Sequence, residues 1–176
     1  MKNLKTKIAV AVGAAGLLFA SAGAMAATQS VTANIAFDAA ISLVKNFDID
    51  FGYVTALQAN TYLIDTTGAV SVTGGAGTGV WLGGTTVVGD IDITGSATQT
   101  IDITANNYTA ASGVTPSLAT CAYNGGGEVA CSTLSAQAAP TGAGKNLLVG
   151  VSVTADGTQA AGSSAAPTFD IVVTYT

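Results

Sequence analysis

The sequence predicts an all-β fold, an antiparallel β-sandwich. Three observations carry this. Thr is the commonest polar residue, with 24 copies from Ala27 onward, and Thr and Val suit the pleated, half-buried surface of a sheet. Apolar residues recur at every second position in run after run, the period of a strand with one face turned inward. Glycine clusters separate the runs, and no stretch of ten or more residues joins a 3.6-residue period to helix caps.

The first 26 residues stand apart. Lys2, Lys5 and Lys7 precede an apolar run from Ile8 to Ala22, and Ala24-Met25-Ala26 supplies the small residues that a signal peptidase reads. This is the pattern of a secretory signal peptide over 1–26, exported through the Sec pathway, with a mature start at Ala27. No later apolar stretch approaches the ~20 residues of a membrane-spanning helix. The mature part divides into 27–37, an N-terminal strand or extension, and 38–176, a single sandwich domain. About 150 residues can bury roughly 68–70% of the unfolded surface, enough for one core.

The strands follow in order. Val31, Ala33, Ile35 and Phe37 alternate with polar or small neighbours, and Phe47, Ile49 and Phe51 alternate with Asp48 and Asp50. Ile91 and Ile93 alternate with Asp90, Asp92 and Thr94, and Ile101 and Ile103 with Thr100, Asp102 and Thr104. Leu147, Val149, Val151 and Val153 form another face; Phe169, Ile171, Val173 and Tyr175 form the last. Breaks fall at Gly74–Gly77, Gly83-Gly84, Gly125–Gly127 and Gly142–Gly144. Cys121 and Cys131 flank Asn124-Gly125-Gly126, a tight-turn signal, so an oxidised pair here staples a hairpin. Closing a loop of about eleven residues is worth roughly 2–3 kcal/mol on the chain-entropy model.

Composition excludes several functions. Charged residues are 9% of the chain, histidine is absent and there is no arginine. Removing residues 1–26 leaves Lys45 and Lys145 against ten acids, a net charge of -8. Such a chain has no basic footprint for nucleic acid. Without His, Arg or a free Cys, a nucleophile lacks its usual base, and we expect no enzyme. Gly142-Ala143-Gly144-Lys145-Asn146 fails as a phosphate loop, with Ala139 where a glycine is needed and Asn146 where Ser or Thr would hold the metal. The Asp48/Asp50 and Asp90/Asp92 pairs read as solvated outer faces of strands, so no metal or cofactor is expected.

The two ends of the mature chain are the most specific. Ser30–Phe37, followed by Ile41-Ser42-Leu43 and Ile49-Asp50-Phe51-Gly52, resembles the start of bacterial pilin-like subunits, in particular the archaic chaperone–usher and spore-coat-U-like groups and a related pilin-like family. Pro167–Thr176, alternating and with a penultimate tyrosine, resembles the ending of chaperone–usher pilins. The resemblance implies an Ig-like, pilin-like antiparallel sandwich that lacks one strand and is completed by a donor strand from a neighbour. It implies a donor face of Val31, Ala33, Ile35 and Phe37 and an acceptor edge of Phe169, Ile171, Val173 and Tyr175. The implied partners are identical subunits, with a periplasmic chaperone and an outer-membrane usher. The implied place is the cell surface or an extracellular fibre, with the periplasm in transit.

Two function classes stay open at this point. One is a structural subunit of an extracellular fibre or pilus. The other is a secreted, monomeric β-sandwich binding or adhesion module for a glycan or surface ligand, with Trp81, Tyr108 and Tyr123 as stacking residues and Ala27–Phe37 as an ordinary first strand. Both share one expectation: the secreted chain starts at Ala27 and carries one intramolecular disulfide. Intact-mass measurement checks this, and two free thiols or retention of Lys2–Ala26 would refute it.

Overall fold

A computed structural model describes residues 29–74 and 77–176. The signal-peptide segment 1–26 and the start at Ala27 lie outside the described residues. The chain divides after Ala36 into two units, and the second, Phe37–Thr176, holds every strand among the described residues. These are β1 (Ser42–Phe47), β2 (Tyr53–Val54), β3 (Ala59–Ile64), β4 (Val70–Gly74), β5 (Trp81–Gly83), β6 (Gly89–Thr94), β7 (Ile101–Thr109), β8 (Val114–Tyr123), β9 (Val129–Ala130), β10 (Leu134–Gln137), β11 (Lys145–Asp156) and β12 (Thr168–Tyr175). The one helical turn described is a 3-10 turn at Cys131–Thr133.

The fold is an antiparallel sandwich. One sheet runs β1-β6-β11-β3-β4, with β8 also paired to β11 and β9 to β8; the second runs β10-β7-β12. A small ribbon, β2-β5, stands beside them. The inward residues of the two large sheets meet in one cluster, which includes Tyr62, Ile64, Ile93, Ile101, Ile103, Cys121, Leu147, Val149 and Val151. The alternation expected at Ile91/Ile93, Ile101/Ile103 and Leu147–Val153 holds: all these side chains are buried except Ile91, which is half-buried. Burying one large aliphatic side chain contributes roughly 1.5–3 kcal/mol, so this cluster is the main source of stability.

β11 organises the larger sheet. Its Lys145–Val149 half pairs with β6 and its Val151–Asp156 half with β3, on the same edge, while β8 covers the other edge. Gly150 sits where β6 ends and β3 begins. A Cβ there would fall 2.4 Å from the Ile64 carbonyl oxygen and 2.7 Å from Thr120 Oγ1. The β8 ladder slips opposite this point, and Leu118 takes a left-handed φ of 46° and turns out to solvent. Such a bulge costs backbone strain in a residue with a Cβ.

Cys121 and Cys131 form the expected disulfide, Cα–Cα 5.0 Å, and both are fully buried. It closes the β8–β9 hairpin, where Cys121 pairs with Val129 and the turn runs through Asn124 and Gly125, both at positive φ. Two expectations are corrected. Phe47, Ile49 and Phe51 do not form one strand: β1 ends at exposed Phe47, the register shifts at Lys45–Phe47, and only Asp50 bridges on, to Val87. Nor is the described part of 27–37 a first strand, because 29–37 is not in strand conformation. Alternation alone does not make a strand; a second edge must take up the backbone hydrogen bonds.

Gly150→Ala should lower stability by about 2 kcal/mol or more, since the added methyl meets a backbone carbonyl that cannot swing away. For a domain of this size that is a fall in the melting midpoint of about 5 °C. Gly127→Ala, whose Cβ would meet nothing within 4 Å, is the matched control and should melt with the parent.

Candidate subunit interface

The C-terminal strand is an edge. β12 pairs with β7 from Thr168↔Thr109 to Tyr175↔Ile101 and ends the three-stranded sheet. Its second edge therefore offers backbone N–H and C=O groups to a further strand. Phe169, Ile171, Val173 and Tyr175 all point at the core, as their spacing predicts, with Thr168, Asp170, Val172 and Thr174 outward. Each inward residue is only half-buried, whereas Ile101 and Ile103 on neighbouring β7 are completely covered. The core is thus open along β12. Near its start Phe169 stacks on Tyr108, ring centroids 5.5 Å apart.

The far end of β12 is a polar corner. The Tyr175 hydroxyl accepts the Ser96 N–H at 2.7 Å and donates to the Ala39 carbonyl at 2.6 Å. Ser96 Oγ donates to Asp38 Oδ2 at 2.5 Å, and the Ala39 N–H bonds Asp38 Oδ1 at 2.7 Å. Gly95 makes room, since a Cβ there would lie 2.5 Å from the Tyr175 oxygen. The corner therefore holds three pieces together: the end of β12, the β6–β7 turn and the residues leading into β1. β1 is the edge of the other sheet and pairs with β6 alone, with Leu43, Val44 and Phe47 exposed. Two open edges, one from each sheet, so meet at one fixed corner.

The expected donor face is presented to solvent. Val31, Ile35 and Phe37 are 90%, 76% and 88% exposed, and Ala33 is exposed as well. An apolar series of this kind left in water is costly, and its natural end is burial against another surface.

The three aromatic residues considered for glycan stacking are not brought together. Tyr123 is buried, bonds the Ala138 carbonyl at 3.0 Å and lies 5.9 Å from the Lys145 ammonium. Burial pushes its phenol above the usual value. Tyr108 is occupied by Phe169 and by the Ala119 N–H, which its hydroxyl accepts at 2.9 Å. Trp81 donates its indole N–H to the Phe51 carbonyl at 2.8 Å. The aspartate pairs are held by amides and an ammonium: Asn46 Nδ2 lies 3.1 Å from both Asp90 and Asp92, and Lys45 lies 2.6 Å from Asp48. Among the described residues no three His, Cys, Asp or Glu side chains gather as a metal site. No helix among them is long and apolar enough to cross a membrane.

Sequence reasoning missed the corner. Asp38, Ser96 and Ala39 carry no motif, and only the fold brings them to Tyr175. No protein-family model, no curated protein and no solved structure matches the chain.

Hydrogen bonding holds three aspartates below the usual carboxylate range. Ser96 is the main cause at Asp38, Thr67 at Asp65 and Thr158 at Asp156. A folded pKa below the unfolded value of about 3.9 adds stability that is present above that value and is lost as pH falls through the folded one. With no histidine and no free thiol, melts at pH 5.5, 6.5 and 7.5 should coincide to within about 5 °C. The midpoint should then fall as the pH drops below about 4, the unfolded value. Thermal melts across this range check both parts, and a larger shift between pH 5.5 and 7.5 would refute the first.

Proposed function

We propose that this chain is a structural subunit of an extracellular fibre or pilus, polymerising by donor-strand addition of its N-terminal segment, 27–37. One observation carries the reading. β12 ends its sheet with a free backbone edge above a half-covered core, while Val31, Ala33, Ile35 and Phe37 stand exposed in strand spacing. The segment offers what the edge lacks: a backbone able to continue the ladder and alternate apolar side chains to close the core. Covering ~400 Å² of apolar area at ~25 cal/mol/Å² would contribute about 10 kcal/mol before ordering costs. An arm of one copy on the edge of the next is a head-to-tail contact that does not close, and repetition gives a filament. Export by the Sec pathway fits this role. A periplasmic chaperone and an outer-membrane usher fit it as assembly partners, since an open apolar edge invites aggregation until covered.

Removing residues 27–37 should leave a monomer on size exclusion that accepts a synthetic Ala27–Phe37 peptide. At peptide concentrations about 100-fold over Kd the gain is about 2.7 kcal/mol, a rise in midpoint of about 5–10 °C. A truncated chain that still polymerises, or that ignores the peptide, sinks the donor-strand reading.

A further inference from the structure

Away from β12, the β2–β5 ribbon carries an aromatic cleft that the fold itself does not use. Tyr53 is 72% exposed, although it sits on a short strand whose neighbours are tightly tied. The cleft beside it, about 200 Å³, is lined by Asp50, Gly52, Tyr53 and Thr85. Gly52 lines it, and Gly83 and Gly84 lie against Gly52 and Tyr53. Gly52, Gly83 and Gly84 have φ of 71°, 94° and 113°, conformations that side-chain-bearing residues rarely adopt. A Cβ on Gly52 would meet the Gly83 carbonyl oxygen at 2.7 Å, and one on Gly84 would meet the Tyr53 ring at 3.0 Å. The ring therefore rests against bare backbone, and most of its surface stays open to solvent.

The polar wall is held as firmly. Asp50 is bonded both ways to Val87, N to O at 2.8 Å and O to N at 2.9 Å. Its Oδ1 accepts the Gly52 N–H at 2.8 Å, which leaves the second carboxylate oxygen without a partner among the described residues. The exposed Thr85 hydroxyl is likewise unengaged there. Trp81 on β5 donates its indole N–H to the carbonyl of Phe51, two residues before β2. A flat aromatic surface, a fixed carboxylate and a hydroxyl around a small cleft form a prearranged set of one apolar and two polar contacts.

We propose that this cleft binds a single neutral sugar ring of a glycan. The C–H face of a pyranose would lie on Tyr53, two adjacent hydroxyls would donate to Asp50, and Thr85 would bond a third. The volume limits occupancy to about one ring. The charge limits its kind: Asp50 and the net charge of -8 of the mature chain disfavour acidic sugars. One cleft per copy would be weak alone and strong in a repeating array, because linked sites add by effective concentration. The site does not depend on whether the chain polymerises.

Amide NMR of the 15N-labelled secreted chain tests this, titrated separately with methyl glycosides of glucose, galactose, mannose and N-acetylglucosamine, with N-acetylneuraminate, and with choline. At least one neutral sugar should shift the amides of Asp50–Tyr53 and Gly83–Thr85, with a Kd in the millimolar range, and N-acetylneuraminate should not. Tyr53→Ala should weaken binding at least tenfold with an unchanged melting midpoint. Asp50 also braces Gly52, so Thr85→Val is the second polar probe and should weaken binding without loss of fold. The proposal is overturned if no neutral sugar shifts these amides at about 50 mM, well above the expected Kd. It is equally overturned if choline alone shifts them, or if Tyr53→Ala binds as the parent does.

Discussion

The fold depends on β11 being shared. Its twelve residues serve β6 and β3 along one edge and β8 along the other, so three strands take their register from one. Leu147, Val149, Val151 and Val153 turn one face of it into the middle of the core. The arrangement needs Gly150, because the Ile64 carbonyl and the Thr120 hydroxyl close over the point where the β6 and β3 ladders abut. A side chain there would push apart two ladders at once. The disulfide lies nearby: Cys121 pairs with Val149 on β11 and ties β8 to Cys131. The most constrained part of the chain is therefore its centre.

Constraint falls off toward two of the sheet edges, β1 and β12. Each has a single strand partner and carries apolar side chains that the sandwich does not fully cover. Proteins that expose long sheet edges usually blunt them with charge, proline or bulges. β12 has only Asp170 among its outward residues, and its ladder with β7 is irregular only near Thr168–Asp170. What the protein does fix is the corner where the edges meet. Tyr175, Ser96, Asp38 and Ala39 hold the end of β12 against the approach to β1 through hydrogen bonds of 2.5–2.7 Å. An open edge held at one end is a better template than a frayed one, because less order has to be created when a strand is added.

The surface chemistry is sparse. With only Lys45 and Lys145 as cations beyond residue 26 and no histidine, almost nothing titrates near neutral pH. The aspartates act mainly as local acceptors, closing the turns after β3 and β11 or bonding the asparagines of β1 and β11. What the surface offers is backbone edges and aromatic and aliphatic faces, with one ion pair, Lys45–Asp48, among the described residues.

The class of fold and much of its core are legible in the sequence. Period-two alternation marks the inward residues of β6, β7, β11 and β12, because a strand's side chains point to opposite faces whatever its neighbours are. The disulfide hairpin is legible too, since a ten-residue spacing around Asn-Gly leaves little other geometry. Other strands were hidden. β8 changes phase at the Leu118 bulge, so Pro116 is inward before it and Ala119, Cys121 and Tyr123 after it, and no single alternation spans the strand. β3 buries Asn60 beside Tyr62 and Ile64, and its asparagine is satisfied by the Gly79 carbonyl far along the chain. Which strands are edges, that 29–37 stands outside the ladders, and that Asp38, Ser96 and Tyr175 meet are set by pairing in three dimensions. Those facts depend on pairings between residues some 60 to 136 positions apart. Local periodicity records which face of a strand is apolar, but not which other strand lies beside it.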